Sequence, residues 1–148
     1  MECVSIERVS VHLRKITSIG ATILIAGGIA VGTAAPANAA TACPSSGVAC
    51  LWYNSDYEGG IYVQGASLSD YAGYYFSTST APNGSNGSGQ EVKNNAASVT
   101  NRSTFYRFRV YYNSGWDGSY AYQTIGISSR ANLNATMKNE NASGAFVD

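Results

Sequence analysis

An all-β fold built from two copies of one unit is predicted for this chain. Three observations predict it. Residues 51–60 and 110–119 share one spacing: an aromatic, four residues, a second aromatic, one residue, glycine. It runs through Trp52, Tyr57 and Gly59, and again through Tyr111, Trp116 and Gly118. A repeat of this length in a chain of 148 residues marks a duplicated supersecondary unit. Asn94 to Ser98 also resembles Asn139 to Ser143, so each copy has a second shared segment. Beyond residue 40, short runs rich in Tyr, Trp, Val, Ile and Thr alternate with Gly, Asn and Ser, the pattern of strands and turns. One such unit is too small to bury its own apolar face. The expected architecture is a two-sheet antiparallel Greek-key sandwich, with the ring-bearing sides of the two units buried against each other.

The elements follow in order. Arg8, Arg14 and Lys15 precede an apolar stretch from Ile16 to Ala35, and Ala37-Asn38-Ala39 supplies a small-x-small cleavage site. That is the pattern of a secretory signal peptide over residues 1–39, leaving one domain over residues 40–148. The apolar run approaches the roughly 20-residue length of a membrane span. Its Gly and Ala content, its cleavage box and the lack of a basic stop-transfer cluster favour the leader. The protein is therefore expected to be secreted and extracellular, with no membrane association after cleavage. Removing the leader removes Cys3 and the one histidine, His12. The remaining charges nearly balance and form no basic block, which argues against nucleic acid as a partner. Cys43 and Cys50 are left as an even pair in an oxidising compartment and are expected to form a disulfide.

Among the strand candidates, residues 105–112 alternate most clearly. Arg107 and Arg109 share one face; Tyr106, Phe108 and Val110 share the dry one. At an offset of 59, Leu68 aligns with Ile127, whereas the Asn/Ser segments align at 45, so the first unit is longer by the difference of 14. The excess falls in residues 71–90, whose Ser, Thr, Asn and Gly content predicts an exposed, mobile loop. Gly59 and Gly118 are expected to supply the positive φ of the strand-to-strand turns. Trp52, Tyr57, Tyr111 and Trp116 are expected to be core and corner residues, leaving Tyr74, Tyr75 and Phe76 as the best candidates for an aromatic surface.

These motifs resemble the βγ-crystallin Greek-key pattern, in which an aromatic-x4-aromatic-x-Gly element precedes Asn/Asp-Asn/Asp-x-x-Ser/Thr. Both units carry it: Trp52 to Gly59 with Asn94 to Ser98, and Tyr111 to Gly118 with Asn139 to Ser143. The Cys43–Cys50 loop just before the first motif, with Asn94 to Arg102 later, narrows the likeness. The chain is similar to the actinobacterial peptidase inhibitor family I36. The resemblance implies a secreted proteinase inhibitor, in the best-known member type one of metalloproteinases, that inserts a loop into a protease cleft and acts as a monomer on an extracellular protease. The inhibitory loop would be Asn113, Ser114, Gly115, Trp116 and Asp117. That member type braces its reactive loop with a second disulfide, and this chain has no cysteine there.

The resemblance also implies calcium sites at Asn94, Asn95 and Ser98 and at Asn139, Glu140 and Ser143. Calcium takes six to eight hard oxygens and gains affinity from ligand charge. Three of the four leading side chains here are neutral amides, and Val99 and Gly144 replace the usual final serine. Weak calcium binding or none is expected, with no cofactor required; the same Asn and Ser side chains can instead tie down turns through local hydrogen bonds. Catalysis lacks its parts. With His12 removed there is no imidazole for nucleophilic chemistry, and the acids at Asp56, Glu58 and Asp117 read as turn residues. The alternative to an inhibitor is a non-catalytic crystallin module that binds calcium or carbohydrate.

Overall fold

The structure, a computed structural model, describes residues 39–148, so the leader expected over residues 1–39 lies, apart from Ala39, outside the described residues. Seven strands form two antiparallel sheets. The first contains β1 (Ala49–Trp52), β2 (Ile61–Gln64), β3 (Ser98–Asn101) and β6 (Arg130–Asn132), in the order β2-β1-β3-β6. The second contains β4 (Arg107–Tyr111), β5 (Tyr122–Ile125) and β7 (Ser143–Val147), in the order β5-β4-β7. Among the described residues there is no α-helix, only two short 3-10 turns, Ser55–Tyr57 and Ser114–Trp116. None is long and apolar enough to cross a membrane.

The two units are not separate sheets. β6 belongs to the second unit but pairs with β3 of the first, with Ala131 opposite Val99. The first unit returns the exchange: Leu68 pairs with Gly144 of β7, through hydrogen bonds of 2.8 and 3.0 Å in the two directions. One residue set further on, the Tyr71 N–H donates to the Ala142 carbonyl as the Leu133 N–H donates to that of Ala97, both at 2.9 Å. Leu68 therefore corresponds to Ala131 and not to Ile127. The constant offset of 59 fails after the first hairpin because the second is longer. Trp52 opposes Ile61, enclosing residues 53–60, whereas Tyr111 opposes Tyr122, enclosing residues 112–121.

Strand alternation sets the core, with one correction. Ala49 and Leu51 from β1, Phe108 and Val110 from β4, and Val99, Ile125, Leu133 and Met137 fill the space between the sheets. Trp52 and Tyr111 stand at the opposite parity and face outward. The units thus bury aliphatic and Phe faces against each other, not the predicted ring-bearing sides. Trp52 is covered from outside in a second cluster with Cys50 and Ile61, against Cys43, Val48, Tyr57, Val63 and Ala81. Its indole N–H donates to Thr100 Oγ1 at 3.1 Å. Tyr106, expected on the dry face, lies just before β4 and is exposed.

Cys43 and Cys50 are bonded, with Cα atoms 6.0 Å apart. The disulfide ties the segment before β1 over the outer face of the first sheet. Closing so short a loop stabilises a small domain by roughly 2–3 kcal/mol.

The segment 71–90 is exposed at its tip, as its composition predicts, but long-range backbone pairing ties its arms into the fold. Tyr71 and Phe76 are buried, Phe76 exchanges backbone hydrogen bonds with Gln90 and Gly89, and Ser77 does so with Ile61. Its tip folds back on the first turn: the Gly60 N–H donates to the Asn86 carbonyl at 2.7 Å, and Ser79 Oγ donates to the Gly59 carbonyl at 2.6 Å. Of the three aromatics proposed as its surface, Tyr74 and Tyr75 are exposed and Phe76 is not.

Gly144 shows why this packing tolerates so little change. A Cβ built there would lie 1.9 Å from the Tyr71 hydroxyl and 2.8 Å from Phe108 Cζ. That space lets buried Tyr71 donate to Gln64 Oε1 at 2.7 Å, while Gln64 Nε2 donates to the carbonyls of Ala66 and Gly144. Burial holds the Tyr71 phenol protonated well above the ordinary tyrosine range. Gly144→Ala should therefore cost about 3 kcal/mol, the upper end of ordinary overpacking. Gly65→Ala, where a Cβ meets nothing within 4 Å, should be neutral. Urea unfolding of the two variants checks both.

Candidate functional site

Each unit turns from its first strand into its second through a corner of the same backbone shape. Asn54 (φ −99°, ψ 162°) and Asn113 (φ −97°, ψ 155°) lead in. Asp56 and Gly115 then take positive φ, as do Tyr57 and Trp116. A ring-bearing residue at positive φ is uncommon and needs support. One serine supplies it in each half. The Tyr57 N–H donates to Ser98 Oγ at 3.1 Å, and Ser98 Oγ donates to the Asn54 carbonyl at 2.7 Å. The Trp116 N–H donates to Ser143 Oγ at 3.2 Å, and Ser143 Oγ donates to the Asn113 carbonyl at 2.7 Å. This is why the aromatic motif and the distant Asn/Ser motif travel together. Gly59 has the expected positive φ and Gly118 does not.

The paired motifs also bind each other. Asn94 and Asn139 both sit at φ near +60°, the conformation Asn tolerates best among non-glycine residues. The Asn94 N–H donates to the Asn141 carbonyl at 2.8 Å, and the Asn139 N–H donates to the Ala96 carbonyl at 2.9 Å. Asn141 is fully buried and adds a bridge that its counterpart Ala96 cannot. Its Oδ1 accepts from the Ala96 N–H and its Nδ2 donates to the Val92 carbonyl, both at 2.8 Å. Of the six predicted calcium residues, Ser98 and Ser143 are buried and clamp the corners, Asn95 is half-buried, and Asn94, Asn139 and Glu140 are exposed.

The candidate inhibitory hairpin is braced without a second disulfide. The Gly115 N–H donates to the Ser69 carbonyl at 2.6 Å, and the Trp116 indole N–H donates to the Leu68 carbonyl at 2.9 Å. Both acceptors lie on the segment lent by the first unit. Asp117 Oδ1 accepts from the Ser119 N–H at 2.8 Å, and Oδ2 accepts from Asn113 Nδ2 at 3.2 Å. The Ser119 hydroxyl and N–H, with the Asn113 amide, hold the Asp117 carboxyl below its ordinary value of 3.8. Gly115 to Tyr120 nevertheless remain exposed.

The register reveals a difference between the halves that the residue spacing hides. Cys50, Trp52, Ile61 and Val63 on the outer face of the first sheet correspond to Arg109, Tyr111, Tyr122 and Thr124 on the second, with Trp52 facing Ile61 and Tyr111 facing Tyr122. The disulfide arm and the 71–90 segment roof the first set, and Ile61 is 1% exposed. Among the described residues nothing comparable roofs the second. Tyr122 is 48%, Trp116 45% and Tyr120 68% exposed. Arg109 lies over the Tyr122 ring at 4.3 Å and donates from Nε to Thr124 Oγ1 at 3.1 Å, while Tyr120 packs edge-on against Tyr112 at 4.6 Å. Sequence reasoning passed over Tyr120 and Tyr122. The replacement of the Ile61 position by tyrosine is the signal, and it appears once the longer second hairpin is allowed for.

The model of peptidase inhibitor family I36 matches residues 36–123. The chain belongs to that family. Comparison with curated proteins gives no match. Among solved structures, one described as "Evolution of the eye lens beta-gamma-crystallin domain fold" is similar, with a TM-score of 0.54 and 11% identity, covering 72% of this chain and 91% of the other. That likeness concerns the fold alone, which is of the βγ-crystallin type. The I36 match spans both the disulfide arm and the exposed second hairpin.

Two measurements check the corner. Ser143→Ala in this I36 domain removes one donor and one acceptor and should lower stability by about 1–3 kcal/mol in urea unfolding. The Asp117 brace has a depressed folded pKa, so its contribution is complete above pH 3.8 and fades as pH falls through the lower folded value. Trp116 fluorescence should therefore stay constant from neutral pH down to about 4 and change only below it.

Proposed function

We propose that this I36 protein inhibits an extracellular protease by presenting the second hairpin, Asn113 to Tyr120, together with the aromatic face around Tyr122. The observation that carries the reading is the combination of a braced base and an exposed tip. Hydrogen bonds donated to Ser69, Leu68 and Ser143 hold Gly115 and Trp116, while Gly115 to Tyr120 stay open to solvent. A loop already ordered loses little conformational entropy on binding, and Trp and Tyr supply large contact area through few rotatable bonds. The family match supports a protease as the partner and a non-catalytic role.

Geometry refines the insertion mechanism. Gly115 and Trp116 have positive φ and cannot lie extended in a substrate cleft. The backbone becomes extended at Asp117, with φ −72° and ψ 108°. The cleft-binding segment in this reading therefore begins at Asp117, with Trp116 as a flanking anchor. Metalloproteinases are the first targets to test, on the strength of the family resemblance. The unroofed face also favours the second reading: rings beside Arg109 suit stacking against sugar rings, and retention on insoluble cell-wall polysaccharide would reveal it.

The test is an inhibition panel of thermolysin-like and subtilisin-like proteases. At least one should be slowed at micromolar concentration or below. Tyr120→Ala should then weaken inhibition about tenfold, equivalent to about 1.4 kcal/mol. Tyr75→Ala, on the other unit, should leave it unchanged. A panel in which nothing is slowed at micromolar concentration would end the inhibitor reading.

A further inference from the structure

We infer that lysine ammonium groups take the part of calcium in the paired corners, so that this domain is complete without a bound metal. The inference is independent of the inhibitor reading. It comes from a pair of residues that the sequence repeat contains but the motif does not. Lys93 precedes Asn94 as Lys138 precedes Asn139, at the same offset of 45.

In the first half, Asn54, Ser55, Asn95, Lys138 and Asn139 line a cavity of about 230 Å³. This is where the corner and the opposite Asn motif meet. The Lys138 ammonium donates to Ser55 Oγ at 3.0 Å. The cavity's lining includes no carboxylate. The Ser98 hydroxyl expected as a ligand already donates to the Asn54 carbonyl and accepts from the Tyr57 N–H. A divalent cation would meet amide oxygens, a committed hydroxyl and a like charge. Calcium needs charged oxygen ligands for affinity, and a neighbouring ammonium repels it. The residues present do not fit the ion.

The second half reaches the same end with different chemistry. Lys93 Nζ lies 2.9 Å from Asp70 Oδ1, the one salt bridge among the described residues. Lys93, the Ala72 N–H and Ser114 together hold the Asp70 carboxyl below its ordinary value. The two repeated lysines thus reach different groups, Lys138 a hydroxyl and Lys93 a carboxylate. Asp70 follows Leu68 and Ser69, whose carbonyls hold the second corner. Lys93 thus neutralises a carboxylate that would otherwise be free to attract a cation. Among the described residues no group of three His, Cys, Asp or Glu side chains is placed to hold a metal.

The test is thermal melting of the full chain in calcium against magnesium at constant ionic strength, starting from protein treated with chelator. The wild type should melt at the same temperature from zero to millimolar calcium. Lys93→Met, which leaves the Asp70 carboxylate without its cation, should acquire a saturable calcium-dependent rise of several degrees. Asn95→Asp combined with Lys138→Met, which supplies the missing carboxylate and removes the like charge, should gain a larger calcium-dependent rise than Asn95→Asp alone, and serves if the Lys93 variant fails to fold. A saturable calcium-dependent rise in the wild type overturns the inference. Folded lysine variants that stay as indifferent to calcium as the wild type overturn it equally, because the ammonium groups would not then be what excludes the ion.

Discussion

Everything in this molecule depends on an exchange of backbone hydrogen bonds between its halves. Each unit has a short third segment that finds no partner within its own sheet, a strand in the second unit and a single bridge at Leu68 in the first. The second unit sends Arg130–Asn132 to β3; the first sends Leu68 to β7. Unpaired backbone N–H and C=O groups inside a domain are costly, so neither sheet is satisfied alone. The exchange also places Leu68, Ser69 and Asp70 beside the second corner and Asn132 beside the first, where Asn132 and Asp56 exchange two hydrogen bonds. The corners are therefore held by the opposite unit. Cohesion of the fold and rigidity of its turns have a common origin.

Within that near-symmetry, the useful features are the departures from it. The first unit spends its additional residues on a segment that folds back over its own turn, and its disulfide arm covers the same side. The second unit has a longer hairpin and an outer face with Tyr122 and Arg109 where the first has Ile61 and Cys50. Duplication supplied two equivalent platforms. One became structural by being roofed, and the other kept its rings in solvent. Fixed bracing below and large amphipathic side chains above suit a surface that must bind without reorganising.

The corners carry a parallel lesson about polar groups. Their serines, amides and lysines are oriented toward one another, and every buried side-chain nitrogen or oxygen among the described residues has a hydrogen-bond partner. Fully satisfied networks of this kind define one arrangement. They also leave few free lone pairs for a ligand.

Much of this was legible in the sequence, and the boundary is physical. Spacing alone determined the all-β class, the duplication, the Cys43–Cys50 pair and the inward parity of Phe108 and Val110, because these follow from local periodicity and from a redox rule about a cysteine pair. It gave Trp52 and Tyr111 as buried, as they are, but set them against the other unit, since identical alternation serves either face of a strand. It read residues 71–90 as an exposed loop and missed the ties of its arms, since Gly and Ser composition reports local freedom and not the distant backbone that pairs with them. Only the tertiary structure decided that the third segments exchange, that Lys93 meets Asp70, and that Tyr122 is bare where Ile61 is roofed. Those outcomes depend on which remote segments arrive at a surface, and no short window of residues contains that information.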